Sequence, residues 1–315
     1  MQFFKTPNIN FIGVSKKAIL ISIVLIVVGL VFVLLHKGFN QSIDFTGGSL
    51  VEIKLDQRVP LQQVRDVVAQ AGFSGAEVTT FGAPEEILIK VKKIGDAAAA
   101  SDKINAALSS HLGERTVEIR RIETVGPKIG GELRTAAFWA VIYSLIGIII
   151  YISWRFEFRF AIAAIIALIH DVLITLGFFA ITDREISLAV IAAVLTIVGY
   201  SMNDTIVLFD RIRENLKSRR RENYAQLINS SINEVLSRTI ITSLTTLMVV
   251  LCLVLFGGEV IRDFALALVV GIVAGTYSTV FIASPVLIEW HDWSSRNKAK
   301  SKARKLKKPA RATTK

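Results

Sequence analysis

Residues 199–215 read GYSMNDTIVLFDRIREN: Gly199, Tyr200, Ser201, Met202, Asn203, Asp204 and on to Asn215. The stretch closes a long apolar run and opens a charged one. The run 186–209 has 24 residues, and a helix needs about 20 to cross the bilayer core. Asn203 and Asp204 lie inside it, with apolar residues on both sides. At ~1.5 Å per residue, Asp204 sits roughly 7–10 Å inside the helix end marked by Phe209 and Arg211. A carboxylate at that depth costs several kcal/mol unless it pairs, takes a proton or meets water. The plainer reading is a helix-end Asp reaching for the interface, but its side chain is too short to do so well. Asp204 is therefore the first functional candidate.

The composition agrees with a membrane setting. Of 315 residues, 52% are hydrophobic, which marks a polytopic membrane protein rather than a soluble domain. The net charge is +11. Basic residues are concentrated after Trp293: Arg296, Lys298, Lys300, Lys302, Arg304, Lys305, Lys307, Lys308, Arg311 and Lys315. Such a local excess points to anionic lipid headgroups, and no nucleic-acid partner is expected. Cys252 is the single cysteine, so an internal disulfide is excluded.

Working outward, the apolar runs are 18–35, 136–154, 160–181, 186–209, 240–256 and 264–288. The first lacks a small-residue cleavage site before its polar flank and reads as an uncleaved anchor. Six spans put both ends on one side. That side collects Lys16, Lys17, Arg155, Arg159 and the basic cluster from Arg211 to Arg221, whereas the opposite short loops hold Arg184 and Arg262. The excess marks the cytoplasmic face and makes both termini cytoplasmic. The expected organisation is a cytoplasmic N-terminus (1–17), a first span (18–35), an external domain (36–133), a five-helix bundle (134–290) with a cytoplasmic loop (211–237), and a basic tail (291–315).

The external region of 98 residues reads as a small α+β domain. Val51, Ile53 and Leu55 alternate with Glu52 and Lys54, a strand pattern. Pro60 and Leu61 open a helix carrying Leu61, Val64, Val67 and Val68 on one face. Residues 76–81 and 86–92 are strand-like, Asp96 is placed to cap a second helix, and Val117 and Ile119 begin a last strand. The order βαββαβ is ferredoxin-like. In 211–237, Leu227, Ile228, Ser231, Ile232, Val235 and Leu236 form an amphipathic stripe, expected on the membrane surface or against partner loops.

Further polar groups lie within the spans. Arg238 stands at the cytoplasmic edge of the fifth, followed on one face by Thr242, Thr245 and Thr246, with Thr239 and Ser243 beside them. The band reads either as helix packing or as a water-lined face. Asp204 and Arg238 share a similar depth, so a charge-assisted pair is expected. His170 and Asp171 lie about eleven residues beyond Arg159, roughly 16 Å deep and near the midplane. They read as a buried hydrogen-bonded pair or as part of a proton relay. Gly271 and Gly275 make a GxxxG packing motif, and Gly147, Gly177 and Gly199 read the same way. Pro285 is expected to kink or end the last helix. The four histidines are far apart, and there is no Walker A sequence. No metal, cofactor or enzymatic chemistry is expected.

Five motifs in order carry a family resemblance. Ser42-Ile43-Asp44-Phe45-Thr46-Gly47-Gly48 resembles the D-F-T-G-G element of the SecD/SecF family. Val125-Gly126-Pro127-Lys128-Ile129-Gly130-Gly131-Glu132-Leu133 is similar to the motif before that family's second span. His170-Asp171 falls in the third-span motif, and 199–215 and 237–246 resemble the fourth- and fifth-span motifs of its SecF branch. The resemblance covers essentially the whole chain and places it in the RND superfamily.

It implies an accessory subunit of the Sec preprotein translocase in the bacterial inner membrane. SecD would supply the other half of a twelve-span pseudosymmetric unit. The pair would associate with the SecYEG channel and YajC, act on translocating preprotein, and use the proton-motive force. Asp204 and Arg238 match the family's proton-pathway positions, with Asn203, His170, Asp171 and Thr242 around them. Asp44, Gly47, Gly48, Gly126 and Pro127 are motif positions, and Gly47-Gly48 and Gly126-Pro127 bracket the external domain as hinge candidates. An RND-type small-molecule exporter and a structural scaffold of a translocon are the alternatives. The external domain is small for the former.

Overall fold

The computed structural model describes residues 7–92, 97–111, 117–219 and 221–306. Its first helix, α1 (Phe11–Leu35), opens ahead of the apolar run because Asn10 caps it, accepting from the Gly13 amide. Residues 11–17 are therefore helical rather than a polar lead-in. A short turn of helix, α2 (Ile43–Thr46), leads into β1 (Gly48–Leu55). Then come α3 (Leu61–Gln70), β2 (Glu77–Phe81), β3 (Ala83–Lys92), α4 (Ala97–His111) and β4 (Val117–Val125).

Alternation sends Val51, Ile53 and Leu55 to one side of β1, where all three are buried. Ile87 and Ile89 of β3 join them under Val64, Val67 and Val68 of α3 and Ile104 and Leu108 of α4. Each such side chain is worth about 1.5–3 kcal/mol of burial. The strands lie in the order β2-β3-β1-β4, and every neighbouring pair is antiparallel. Each βαβ crossover leaves room for one inserted strand, which is the expected ferredoxin-like arrangement. Asp96 lies outside the described residues. The face of the sheet turned away from α3 and α4 carries Glu52, Lys90 and Lys92.

After β4 the chain passes directly into α5 (Pro127–Arg155), then α6 (Phe158–Ile181), α7 (Leu188–Ser218) and α8 (Tyr224–Phe256). Next is α9 (Gly258–Ser278), which continues through a π-helical turn (Thr279–Ala283) into α10 (Ser284–Leu306). Six helical stretches among the described residues are long and apolar enough to cross a membrane. Pro285 does not end the last of them. Lacking an N–H, it leaves a carbonyl one turn back without its donor. The wider π turn lies just before it, and Ser284 Oγ donates to the Thr279 carbonyl at 3.0 Å.

The charged stretch 211–237 also departs from expectation. It is the joined ends of α7 and α8, not a surface-lying segment. Leu227, Ile228 and Ile232 are buried with Leu208, Phe209, Ile212 and Leu287. Asn215 donates to Ser231 Oγ at 2.9 Å and to Glu234 at 2.8 Å, and Arg219 reaches Glu234 at 2.6 Å. The stripe satisfies itself within the chain. The start of α1 joins this end of the bundle, where Asn233 Oδ1 accepts from the Ile9 amide at 2.9 Å.

Candidate functional site

Thr276, Tyr277, Ser278 and Thr279 are four consecutive hydroxyl residues at the end of α9 and the start of the π turn. Successive residues turn by about 100°, so the four point in different directions. Each meets a different helix. Thr276 Oγ1 is 2.7 Å from Ser243 Oγ on α8. Tyr277 accepts from Ser22 of α1 at 3.2 Å. Ser278 donates to Asp171 of α6 at 2.9 Å, and Thr279 lies 2.9 Å from Thr205 of α7. Gly271 and Gly275 permit this closeness: Gly271 faces Ile197, and a Cβ on Gly275 would come within 2.8 Å of Ser201 Cβ. Their GxxxG spacing is helix packing, as read. Gly177 likewise meets Gly29 of α1, whereas Gly147 and Gly199 have nothing within 4 Å.

Asp204 is buried between α7 and α8. Ser243 Oγ donates to its Oδ2 at 3.3 Å. The expected ion pair with Arg238 is not closed, because the Arg238 side chain is exposed. Its charge acts on Asp204 from farther away. Asn203 is exposed, about 100° round α7 from Asp204. The Thr242 hydroxyl donates to the carbonyls of Arg238 and Thr239, both at 3.0 Å. Thr245 and Thr246 similarly bond carbonyls of their own helix. Thr245 and Thr246 thus spend their donors on their own helix, while Ser243 and Thr242 lie toward Asp204.

His170 and Asp171 are brought together with partners from three other helices. His170 Nδ1 is 2.9 Å from Asp171 Oδ1, and Nε2 is 3.0 Å from Ser22 Oγ. Ser201 of α7 and Ser278 of α9 both donate to Asp171 Oδ2, at 2.6 and 2.9 Å. The imidazole stacks on Tyr277 with ring centroids 5.8 Å apart. Asp171 is fully buried. Ser22, Ser201, Thr205 and residues 276–279 escaped the sequence reading. The run of four hydroxyls after Gly275 was a legible signal; the lone serines in apolar helices were not. Among the described residues no group of three or more His, Cys, Asp or Glu is placed to hold a metal ion.

The motif after α1 builds the joint between the sheet domain and the bundle. Ser42 caps α2 by accepting from the Asp44 amide at 3.2 Å. Asp44 Oδ2 accepts from the Leu188 amide at 2.9 Å, satisfying a free N–H at the start of α7. Phe45 is buried in the cluster that holds Phe179 and Val190. Gly47 (φ +73°) approaches so closely that a Cβ would lie 2.9 Å from Pro127 Cα. The pairs Gly47-Gly48 and Gly126-Pro127 therefore meet as one joint.

An ionic contact closes the joint. Glu185, in the turn before α7, takes Lys90 at 2.7 Å and Lys92 at 2.6 Å. Burial works against the Glu185 charge, but hydrogen bonds from the two lysines outweigh it and hold the carboxyl below its ordinary range. Burial equally opposes the Lys90 charge, and Glu185 overcomes it, raising the ammonium above its ordinary value. A cleft of about 550 Å³ opens beside this joint, lined by Asp44, Glu52, Thr79, Arg121 and Val260 among others.

Known proteins are similar to this chain in sequence and in overall structure. Residues 104–293 match the family described as Protein export membrane protein SecD/SecF, C-terminal, and residues 32–59 match the SecD/SecF GG Motif. The chain is 44% identical over 299 residues to the Protein translocase subunit SecF of Desulfurispirillum indicum, covering 92% of this chain and 93% of that one. For the SecF subunit of Calditerrivibrio nitroreducens the identity is 47% over 281 residues, covering 88% and 92%. The crystal structure of SecDF, a translocon-associated membrane protein from Thermus thermophilus, matches with a TM-score of 0.82 at 40% identity. That match covers 92% of this chain but 40% of the SecDF chain, so the chain spans about two fifths of its length. With its six apolar helices, inserted ferredoxin-like domain and matched motifs, the chain belongs to the SecD/SecF protein-export family, among the SecF subunits.

Proposed function

We propose that the chain is one half of a proton-driven motor for preprotein export, paired with SecD beside the SecYEG channel and YajC. One observation carries this reading. The face of α7 and α8 next to buried Asp204 exposes Gly199, Asn203, Arg238 and Thr245. Lipid cannot satisfy an amide and a guanidinium at membrane depth. A second helical bundle covering that face would, and SecD supplies one in this family. The Lys/Arg asymmetry supports cytoplasmic termini, a periplasmic sheet domain and a bacterial inner-membrane location. The basic tail suits anionic lipid headgroups, at about 1 kcal/mol per residue near the surface.

The mechanism follows from α7 as a rod. Asp204 lies near one end of its membrane stretch, and Leu188, held by Asp44, begins the other. The separation is about 24 Å at ~1.5 Å per residue. A proton on Asp204 cancels its attraction to Arg238 and weakens the hold of α7 on α8. A shift of α7 then moves the Asp44 joint and the sheet domain above it, which would pull on preprotein emerging outside. The test is Asp204→Asn co-expressed with SecD, which keeps size and hydrogen bonding but abolishes titration. Export is measured after the ATP-driven steps are complete, with and without a proton gradient. The gradient response should disappear while assembly with SecD persists. A variant that still responds fully makes Asp204 structural and favours the scaffold reading.

A further inference from the structure

We propose that His170 and Asp171 hold one bound proton between them at the centre of this chain, so that the buried pair is uncharged overall. The inference comes from counting hydrogens along a chain of contacts and does not rest on the export reading. Tyr277 donates its one hydrogen to the Ala18 carbonyl at 2.6 Å. Ser22, 3.2 Å from the Tyr277 oxygen, must therefore be the donor in that contact. Its single hydrogen is then spent. At 3.0 Å from His170 Nε2 the Ser22 oxygen acts as the acceptor, and Nε2 carries a hydrogen.

The other side of the ring closes the count. Nδ1 lies 2.9 Å from Asp171 Oδ1. Two lone pairs do not meet at that distance, so a hydrogen lies between them. On Nδ1, it makes an imidazolium beside a carboxylate. On Oδ1, it makes a neutral ring beside a carboxylic acid. Both assignments hold the same number of protons and leave the pair neutral. Ser201 and Ser278 donate to Oδ2 in either case. A net charge would be costly here, because His170 is 6% exposed and Asp171 is 0% exposed.

Loss of the proton to water has one consistent rearrangement. Nδ1 keeps its hydrogen on Asp171, Nε2 becomes an acceptor, and the Ser22 hydroxyl rotates to donate to it. Tyr277 then loses Ser22. The protonation state is thereby written into one contact between α1 and α9. The titratable groups facing the pair are each other and Tyr277 of α9. From α1 comes Ser22, and from α7 comes Ser201; Asp204 of α7 turns instead to Ser243 of α8.

The test uses the full chain with SecD in lipid bilayers, with His36, His111 and His291 replaced by Gln so that His170 is the sole histidine. Nitrogen-15 magnetic resonance of the labelled ring reads which nitrogen carries hydrogen. At neutral pH, Nε2 is expected to bear one. A bare Nε2 at neutral pH overturns the proposal. Carbon-13 resonance of the Asp171 carboxyl completes the count: a hydrogen on Nδ1 or on the carboxyl is expected, and a bare Nδ1 beside an ionised carboxylate equally overturns the proposal. Neither reading involves export, so this inference and the motor assignment fail separately.

Discussion

Asp204 accepts a hydrogen bond from Ser243, at 3.3 Å, and none from Arg238, which is exposed. The two partners should therefore separate by experiment. Ser243→Ala removes a buried hydroxyl that donates to Asp204 and lies 2.7 Å from Thr276 Oγ1, and a loss of about 1 kcal/mol in stability is expected. Arg238→Lys should leave stability unchanged, yet reduce gradient-driven export because the planar fork is gone. Unfolding in detergent and the export assay read the two. Equal losses of stability would tie Arg238 to packing in this state.

Gly275 lies against Ser201, which holds Asp171. Gly275→Leu should push α7 from α9 at a cost of about 1–3 kcal/mol. Gly147→Leu, with nothing within 4 Å in this chain, should leave the isolated chain's melting temperature unchanged. A Gly275 variant that melts like the native chain would show that the helix contact is loose.

The contact of Glu185 with Lys90 and Lys92 should hold over a wide pH range. A carboxyl held below its ordinary value of 4.5 stabilises the folded joint above that pH, and the contribution fades as pH falls through the lowered value. An ammonium held above 10.5 contributes below that pH, and its contribution fades as pH rises through the raised value. Hydrogen exchange at residues 40–42 and 183–187, taken relative to the intrinsic amide rate at each pH, should be slow between about pH 5 and 10 and quicken at lower pH. Glu185→Gln should be fast throughout, with a loss of roughly 1.5–3 kcal/mol. Slow exchange in the variant would mean that the backbone bonds alone, such as Ile186 N to Asn40 O at 2.7 Å, hold the joint.

Topology is testable by thiol labelling in a Cys252→Ser background. Ser74 is exposed in the sheet domain, and Ser74→Cys should react with an impermeant reagent in cells with intact inner membranes. Thr313→Cys should not. The reverse pattern would overturn the orientation of the chain.

Much of this molecule is local, and the local part is legible in its sequence. The six apolar runs, the alternation through β1 and the valine face of α3 are written in periodicity, because burial repeats with the period of the element. Asp204 stood out for the same reason, as a charge inside a run that hydropathy alone defines. The helix ends were less legible. Caps such as Asn10 and the packing of Leu227 on Phe209 carry helices past the apolar stretches that announced them.

Partner choice belonged to the tertiary structure. Shared depth suggested that Asp204 meets Arg238, but depth is one coordinate and direction around the helix is another. Ser243 follows Arg238 by five residues, about 140° farther round α8, and that turn brings Ser243 to Asp204 while leaving Arg238 outside. Ser22, His170, Ser201 and Tyr277 lie on four helices across most of the chain, and Ser22 is a single polar residue in an apolar run. No local pattern relates them. They meet because Gly29, Gly177 and Gly275 let those helices approach closely enough for short side chains to touch, and close approach between distant segments is a property of the packed bundle alone.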